Sequence, residues 1–177
     1  MSKVAIISGS PSASSRLNGL LQTIKGELEQ RGAEVHAIVV RDIPPEDLVY
    51  TRFDSPAIVE ANRLVESADA VIVATPVYKA SYTGVLKAYL DLLPQKALSG
   101  KVTLPLAIGG SSAHLLIIDY ALKPVLAALG AEHQLQGVYA TDSHVQRGED
   151  GSFALDDEVT ERLRQAAAKL AEAIQSK

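Results

Sequence analysis

The residues best placed to do chemistry lie between Gly9 and Arg16, where the chain reads Gly9-Ser10-Pro11-Ser12-Ala13-Ser14-Ser15-Arg16. Five of the seven residues after Gly9 offer a hydroxyl or a guanidinium, a dense set of groups for an anion. The stretch follows an apolar run, Val4–Ile7, and precedes a helical pattern. A loop from a buried strand into a helix N-terminus adds backbone N–H groups and the positive end of the helix dipole. It has neither the glycine spacing of the dinucleotide fingerprint nor the lysine of the P-loop. Such a loop suits a monophosphate wrapped by hydroxyls and amides; the competing reading is a plain serine-rich turn.

Two further segments invite a planar ligand. In Thr75-Pro76-Val77-Tyr78-Lys79-Ala80-Ser81-Tyr82-Thr83-Gly84 a proline fixes the backbone, and two tyrosines give flat apolar surface with a polar tip. Alternatively the tyrosines pack the loop on its helix while Thr83 caps that helix. In Gly109-Gly110-Ser111-Ser112 the glycines let backbone come close to a ring; a glycine turn plus a serine cap is the simpler alternative. Conventional catalytic groups are scarce. The four histidines (His36, His114, His133, His144) lack metal-ligand spacing, no serine sits in a nucleophile elbow, and Asp91 reads as a solvated helix charge. Hydride transfer to a flavin requires none of these, because the ring carries the reactivity.

The elements that must position these loops follow from patterning. Apolar runs at Val4–Ile7, Val35–Val40, Ala70–Thr75, Val102–Ile108 and His133–Tyr139 read as five strands. Helical patterns at Leu17–Arg31, Ala57–Ser67, Val85–Leu93, Ala113–Leu129 and Asp156–Gln175 alternate with them. Ser55 before Pro56 predicts a capped helix start, and Gly32 and Gly130 predict left-handed helix ends. Arg41–Phe53 and His144–Ser152 read as irregular loops. The alternation predicts an α/β fold of one domain, a five-stranded parallel sheet in the order 2-1-3-4-5 with helices on both faces. Ligands of such sheets bind beyond the strand carboxyl ends, where the order reverses between the first and third strands. All three unusual loops fall at that edge.

Composition narrows the classes. The chain has 177 residues, 47% of them hydrophobic, no cysteine and a net charge of −4. Disulfide, iron–sulfur and cysteine–zinc chemistry are excluded. The charge and the lack of a basic stripe argue against nucleic acid, and no apolar run reaches membrane-span length. Without a recognisable signal peptide, a cytoplasmic protein is expected.

Gly9-Ser10-Pro11, residues 76–94 (PVYKASYTGVLKAYLDLLP), residues 109–129 (GGSSAHLLIIDYALKPVLAAL) and residues 52–57 (RFDSPA) together resemble the NAD(P)H-dependent FMN reductases. The resemblance is strongest to the reductase component of two-component alkanesulfonate monooxygenases, and it extends to about Thr141. It implies a flavodoxin-like fold and reduction of FMN by NADPH or NADH, with FMN as substrate or loosely bound. Reduced FMN would pass to a separate flavin-dependent monooxygenase. By that resemblance Ser10, Ser12, Ser15, Arg16 and Asn18 hold the phosphate. Pro76, Val77, Tyr78 and Lys79 line the ring and ribityl chain, and Gly109, Gly110 and Ser111 lie against the ring's other side. Ser12 stands where many members carry arginine, which leaves Arg16 as the strong cation there. Two other readings of the same residues remain: a reductase of quinones, azo dyes or metal oxyanions that retains its FMN, and a nonenzymatic flavodoxin-like electron carrier.

Residues Ala113–Leu129 are apolar nearly all round, although a helix covering one sheet face needs only one apolar stripe. The outer face is therefore expected to meet another subunit, giving a homo-oligomer (dimer or tetramer). Pro124 cannot donate to the carbonyl of Tyr120 and clashes with it, so the helix must bend or widen into a π-bulge. The resemblance points the same way, because the sulfonate-system reductases carry a tyrosine insertion here. Tyr120 is thus expected at a subunit interface near the flavin, acting on flavin retention and not as an acid or base.

Overall fold

The computed structural model describes residues 1–176. The central parallel sheet contains β1 (Lys3–Ser8), β2 (Glu34–Val39), β3 (Ala70–Pro76), β4 (Val102–Gly109), β5 (His133–Gln134) and β6 (Val138–Thr141). Its order is β2-β1-β3-β4-β5, with β6 continuing along β4 beyond β5. The expected 2-1-3-4-5 order is therefore present. The predicted fifth strand, however, is two short ones. Val102 pairs with His133 and Leu106 with Val138, so four steps along β4 face five along the edge. The extra residue lies opposite Pro105, which lacks an N–H for a ladder. Gly137 takes the slack at φ 89°, where a Cβ would sit 2.6 Å from the Pro105 carbonyl oxygen.

β3 and β4 are buried along their whole length because both sheet faces are covered. One face carries Val4, Ile6, Ile72 and Leu104 under α1 (Leu17–Gln30) and α6 (Asp157–Gln175). α1 presents Leu17, Leu20, Ile24 and Leu28 there, and α6 presents Val159, Leu163, Ala167 and Leu170. Each large apolar side chain so buried contributes about 1.5–3 kcal/mol. The other face carries Ile7, Ile38, Val71 and Val73 under α3 (Pro56–Glu66), α4 (Gly84–Leu90) and α5 (Lys123–Ala128). No helix among the described residues is long and apolar enough to cross a membrane.

Four local expectations are corrected. Val40 leaves β2 for a 3-10 turn, Val40–Asp42. Within the predicted irregular stretch, Pro45–Val49 form α2, started by Pro45 at its first turn. The Ser55 hydroxyl does not cap α3: it donates to the buried carboxylate of Asp47, which Arg52 also engages at 3.1 Å. An unpaired buried carboxylate costs more than an uncapped helix end. Residues 144–152 are not wholly a loop either. β7 (Val145–Arg147) and β8 (Phe153–Leu155) pair antiparallel as a hairpin against α1, where Phe153, Leu155 and Val145 crowd Gly19. By contrast Gly32 and Gly130 close their helices at φ 81° and 91°, as expected.

The region predicted as one helix from Ala113 begins with a 3-10 turn, Ser112–His114, and widens to a π-helix at Ile118–Leu122 before α5. The N–H of Lys123 reaches back five residues to Ile118, immediately ahead of Pro124. The proline thus produces the widening expected of it.

Candidate functional site

All three unusual loops, after β1, β3 and β4, meet at the carboxyl edge of the sheet. One polar chain ties the loop after β1 to the segment after β3. The N–H of Gly9 donates to Ala74 O at 2.8 Å. Thr83 Oγ1 donates to Gly9 O at 2.5 Å and accepts from Leu86 N at 3.1 Å, so the hydroxyl that caps α4 also anchors the serine loop. Thr75 Oγ1 accepts from Thr83 N at 3.1 Å and donates to Pro76 O at 2.8 Å. Gly9 is required for room rather than for a left-handed turn: an added Cβ would lie 2.6 Å from Leu86 Cβ.

The serine loop is internally braced. The hydroxyl of Ser10, a residue only 2% exposed, accepts from Ser12 N at 3.2 Å. Ser12 Oγ accepts from Ser14 N, and Ser15 Oγ accepts from Leu17 N. Asn18 Nδ2 donates to Ala13 O at 2.8 Å, closing the loop on α1. Among the described residues, the N–H groups of Ser10, Ala13 and Arg16 are left without a protein acceptor. Arg16 Nε donates to Val145 O at 3.0 Å, which fixes the guanidinium and leaves its terminal nitrogens available. The hairpin therefore holds the cation in place. It adds a second cation too, since Arg147 Nη1 donates to Ser14 O at 3.2 Å. Sequence reasoning missed Arg147, and its only signal was a glycine-bearing turn between Val145 and Phe153.

A crevice of about 240 Å³ runs from this loop to the other two. It is lined by Ser12, Ser15 and Arg16 at one end and by Pro76, Val77, Tyr78, Gly109 and Gly110 at the other, with Asp142 beside them. Val77 N donates to Ile108 O at 2.8 Å, joining the two ring-side loops. Tyr78 and Ser81 exchange backbone bonds of 2.9 and 3.1 Å around Lys79 and Ala80, whose φ values are 50° and 62°. Two successive positive φ values define a type I′ turn, which at non-glycine residues costs about 1–2 kcal/mol each. Lys79 and Ser111 line an adjoining larger cavity instead of this crevice.

Gly109 and Gly110 serve different ends. A Cβ on Gly109 would strike the Tyr139 hydroxyl at 2.4 Å, so its space is filled by protein. A Cβ on Gly110 would meet only Asp142, at 4.0 Å, and this glycine faces the opening. Tyr139, another residue that sequence reasoning missed, donates to Ser111 O at 2.6 Å and steadies the loop. Burial and the nearby Asp142 carboxylate push its phenol above the usual tyrosine value. Tyr120 lines neither cavity; it stands 78% exposed on the π-helix beside exposed Leu115 and Leu116.

The donor set fits a flavin mononucleotide. Three free amides and a fixed guanidinium suit one phosphate, and an open glycine surface opposite Tyr78 suits a flat ring. Together with the sheet order, this defines a flavodoxin-like flavoprotein. Residues 2–146 match the family model of the NADPH-dependent FMN reductases. The chain is 54% identical over 146 residues to an FMN reductase (NADPH) of Pseudomonas putida, covering 82% of this chain and 74% of that protein. It is 52% identical over 143 residues to an FMN reductase (NADPH) of Escherichia coli, covering 81% and 75%. The apo crystal structure of the NADH:FMN oxidoreductase EMOB superimposes with a TM-score of 0.89 at 38% identity, covering 100% of this chain and 92% of that one. The chain belongs to the NADPH-dependent FMN reductase family, and it is an oxidoreductase that uses FMN and a reduced nicotinamide nucleotide.

Proposed function

We propose that this FMN reductase handles FMN as an exchanging substrate and supplies the reduced form to a flavin-dependent monooxygenase, one acting on alkanesulfonates. The observation that carries this reading is the contrast within the site: the phosphate loop is braced, while the ring side opens to solvent at Tyr78, Gly110 and Ser111, all exposed. A ligand gripped at one end and uncovered at the other can be captured and released.

Ser10, Ala13 and Arg16 offer their N–H groups, and Arg16 its guanidinium, to the phosphate. Ser12 and Ser15 shape the loop by hydrogen bonds, and Asn18 closes it as a positioning residue. Pro76, Val77 and Tyr78 set one wall for the ring, and Gly109, Gly110 and Ser111 the other. Bound FMN supplies the hydride-accepting ring, and NADPH or NADH supplies the hydride. The protein's part is to orient the two and leave the reacting face accessible. Exposed Leu115, Leu116 and Tyr120 form an apolar face suited to a second copy of the chain, giving a homo-oligomer in which Tyr120 tunes flavin retention.

The test is oxidation of NADPH and of NADH with and without added FMN, on protein whose bound flavin has been measured. The expected result is substoichiometric flavin after purification, saturable stimulation by FMN, and sulfite release when a flavin-dependent alkanesulfonate monooxygenase is added. Stoichiometric flavin that survives gel filtration, with no stimulation by added FMN, would instead identify a flavin-retaining reductase.

A further inference from the structure

Beyond the crevice lies an open cavity of about 780 Å³ lined by Val77, Lys79, Ala80, Gly110, Ser111 and His114. It shares Val77 and Gly110 with the crevice, so the two form one continuous surface. The serine loop stands at one end, and Lys79 and His114 stand at the other. None of the six lining residues is acidic. Among the described residues, neither Lys79 Nζ nor the His114 ring has a hydrogen bond or ion pair. The lysines flanking this region differ: Lys87 is paired with Asp91 at 2.6 Å, and Lys123 with Asp119 at 2.6 Å. Lys79 is also held at φ 50°, a backbone state disfavoured for any residue with a Cβ, at the tip of the turn that walls the cavity.

Two unpaired nitrogen donors in a cavity whose own lining holds no carboxylate, with Asp142 at the crevice side of Gly110, make a site for an anion at the Lys79 and His114 end. The FMN phosphate already has its partners in the serine loop. The other substrate brings anions of its own: a nicotinamide laid against the ring carries its pyrophosphate one ribose away, beside the ring. The 2′-phosphate that separates NADPH from NADH lies farther off, on the adenosine.

We propose that this cavity receives the pyrophosphate of the nicotinamide dinucleotide, with Lys79 and His114 as its contacts; the inference rests on the flavin occupying the adjoining crevice. It assigns Lys79 to the hydride donor and not to the flavin. Both NADH and NADPH use the contact, because both carry the pyrophosphate.

The experiment compares NADH, NADPH and the phosphate-free donor 1-benzyl-1,4-dihydronicotinamide on Lys79→Ala, Lys79→Arg, His114→Ala and the double alanine variant. FMN titrations run in parallel, with Arg16→Ala included. Loss of one charge-assisted contact should raise KM for NADH and NADPH together about tenfold, and loss of both about a hundredfold. The ratio of kcat/KM for either dinucleotide to that for the benzyl donor should fall by the same factors, and Lys79→Arg should recover most of the loss. A rise for NADPH alone would place the 2′-phosphate there and overturn the assignment. So would an equal loss with all three donors, a matching rise in the Kd of FMN, or no change. Undiminished FMN affinity in Arg16→Ala would remove the flavin placement itself, whatever the KM values show.

Discussion

In the Ser10–Arg16 loop the hydroxyls of Ser10, Ser12 and Ser15 each accept from a backbone N–H within the loop or at the start of α1, and Thr83 pins the loop from below. Across the crevice, the Tyr78–Ser81 turn holds two residues in left-handed backbone, and its lysine has no partner among the described residues. The first region is braced and anchored with its free amides already held in place, so little reorganises when a phosphate arrives. The second keeps strain and uncommitted donors at an open surface. Such a division suits a protein whose two substrates must meet and then leave, with grip concentrated at one end.

That contrast can be broken in order of expected effect. Gly9→Val should do most, because its Cβ would collide with Leu86 and press on the Ala74 carbonyl. A destabilisation of about 3 kcal/mol in thermal or denaturant unfolding is expected, with FMN binding lost. Thr83→Val leaves Gly9 O without its donor and α4 without its cap. It should cost about 2 kcal/mol in the same assay. Tyr139→Phe removes the bond to Ser111 O and should weaken FMN binding by about 1 kcal/mol, roughly fivefold, by fluorescence titration. Ala80→Gly tests the opposite region. Relief of positive-φ strain should exceed the entropy cost of glycine and stabilise the fold by about 0.5 kcal/mol. A loss of stability there would show that the turn is not strained.

The central sheet was legible because its strands are continuous Val, Ile, Leu and Ala runs, and that order alone brought three loops together. The Thr83 cap and the widening before Pro124 were legible because each depends on one residue's covalent chemistry. What escaped depends on neighbours distant in sequence. The need for Gly9 comes from Leu86, the space beside Gly109 from Tyr139, and the fate of Ser55 from Asp47. The Val145–Leu155 hairpin escaped because three-residue strands containing Gln146 and Arg147 show no apolar alternation. Its contribution through Arg16 and Arg147 was hidden for the same reason. The split of the edge strand needed Pro105 and Gly137 to be seen side by side.

The most direct test of the phosphate grip is calorimetric titration of FMN and riboflavin against the protein and its Arg16→Ala variant. FMN should bind more tightly than riboflavin to the unaltered protein, and Arg16→Ala should weaken FMN about ten- to a hundredfold while leaving riboflavin nearly unmoved. Equal affinity for the two flavins, or a preference for FMN that survives the loss of Arg16, would contradict the account.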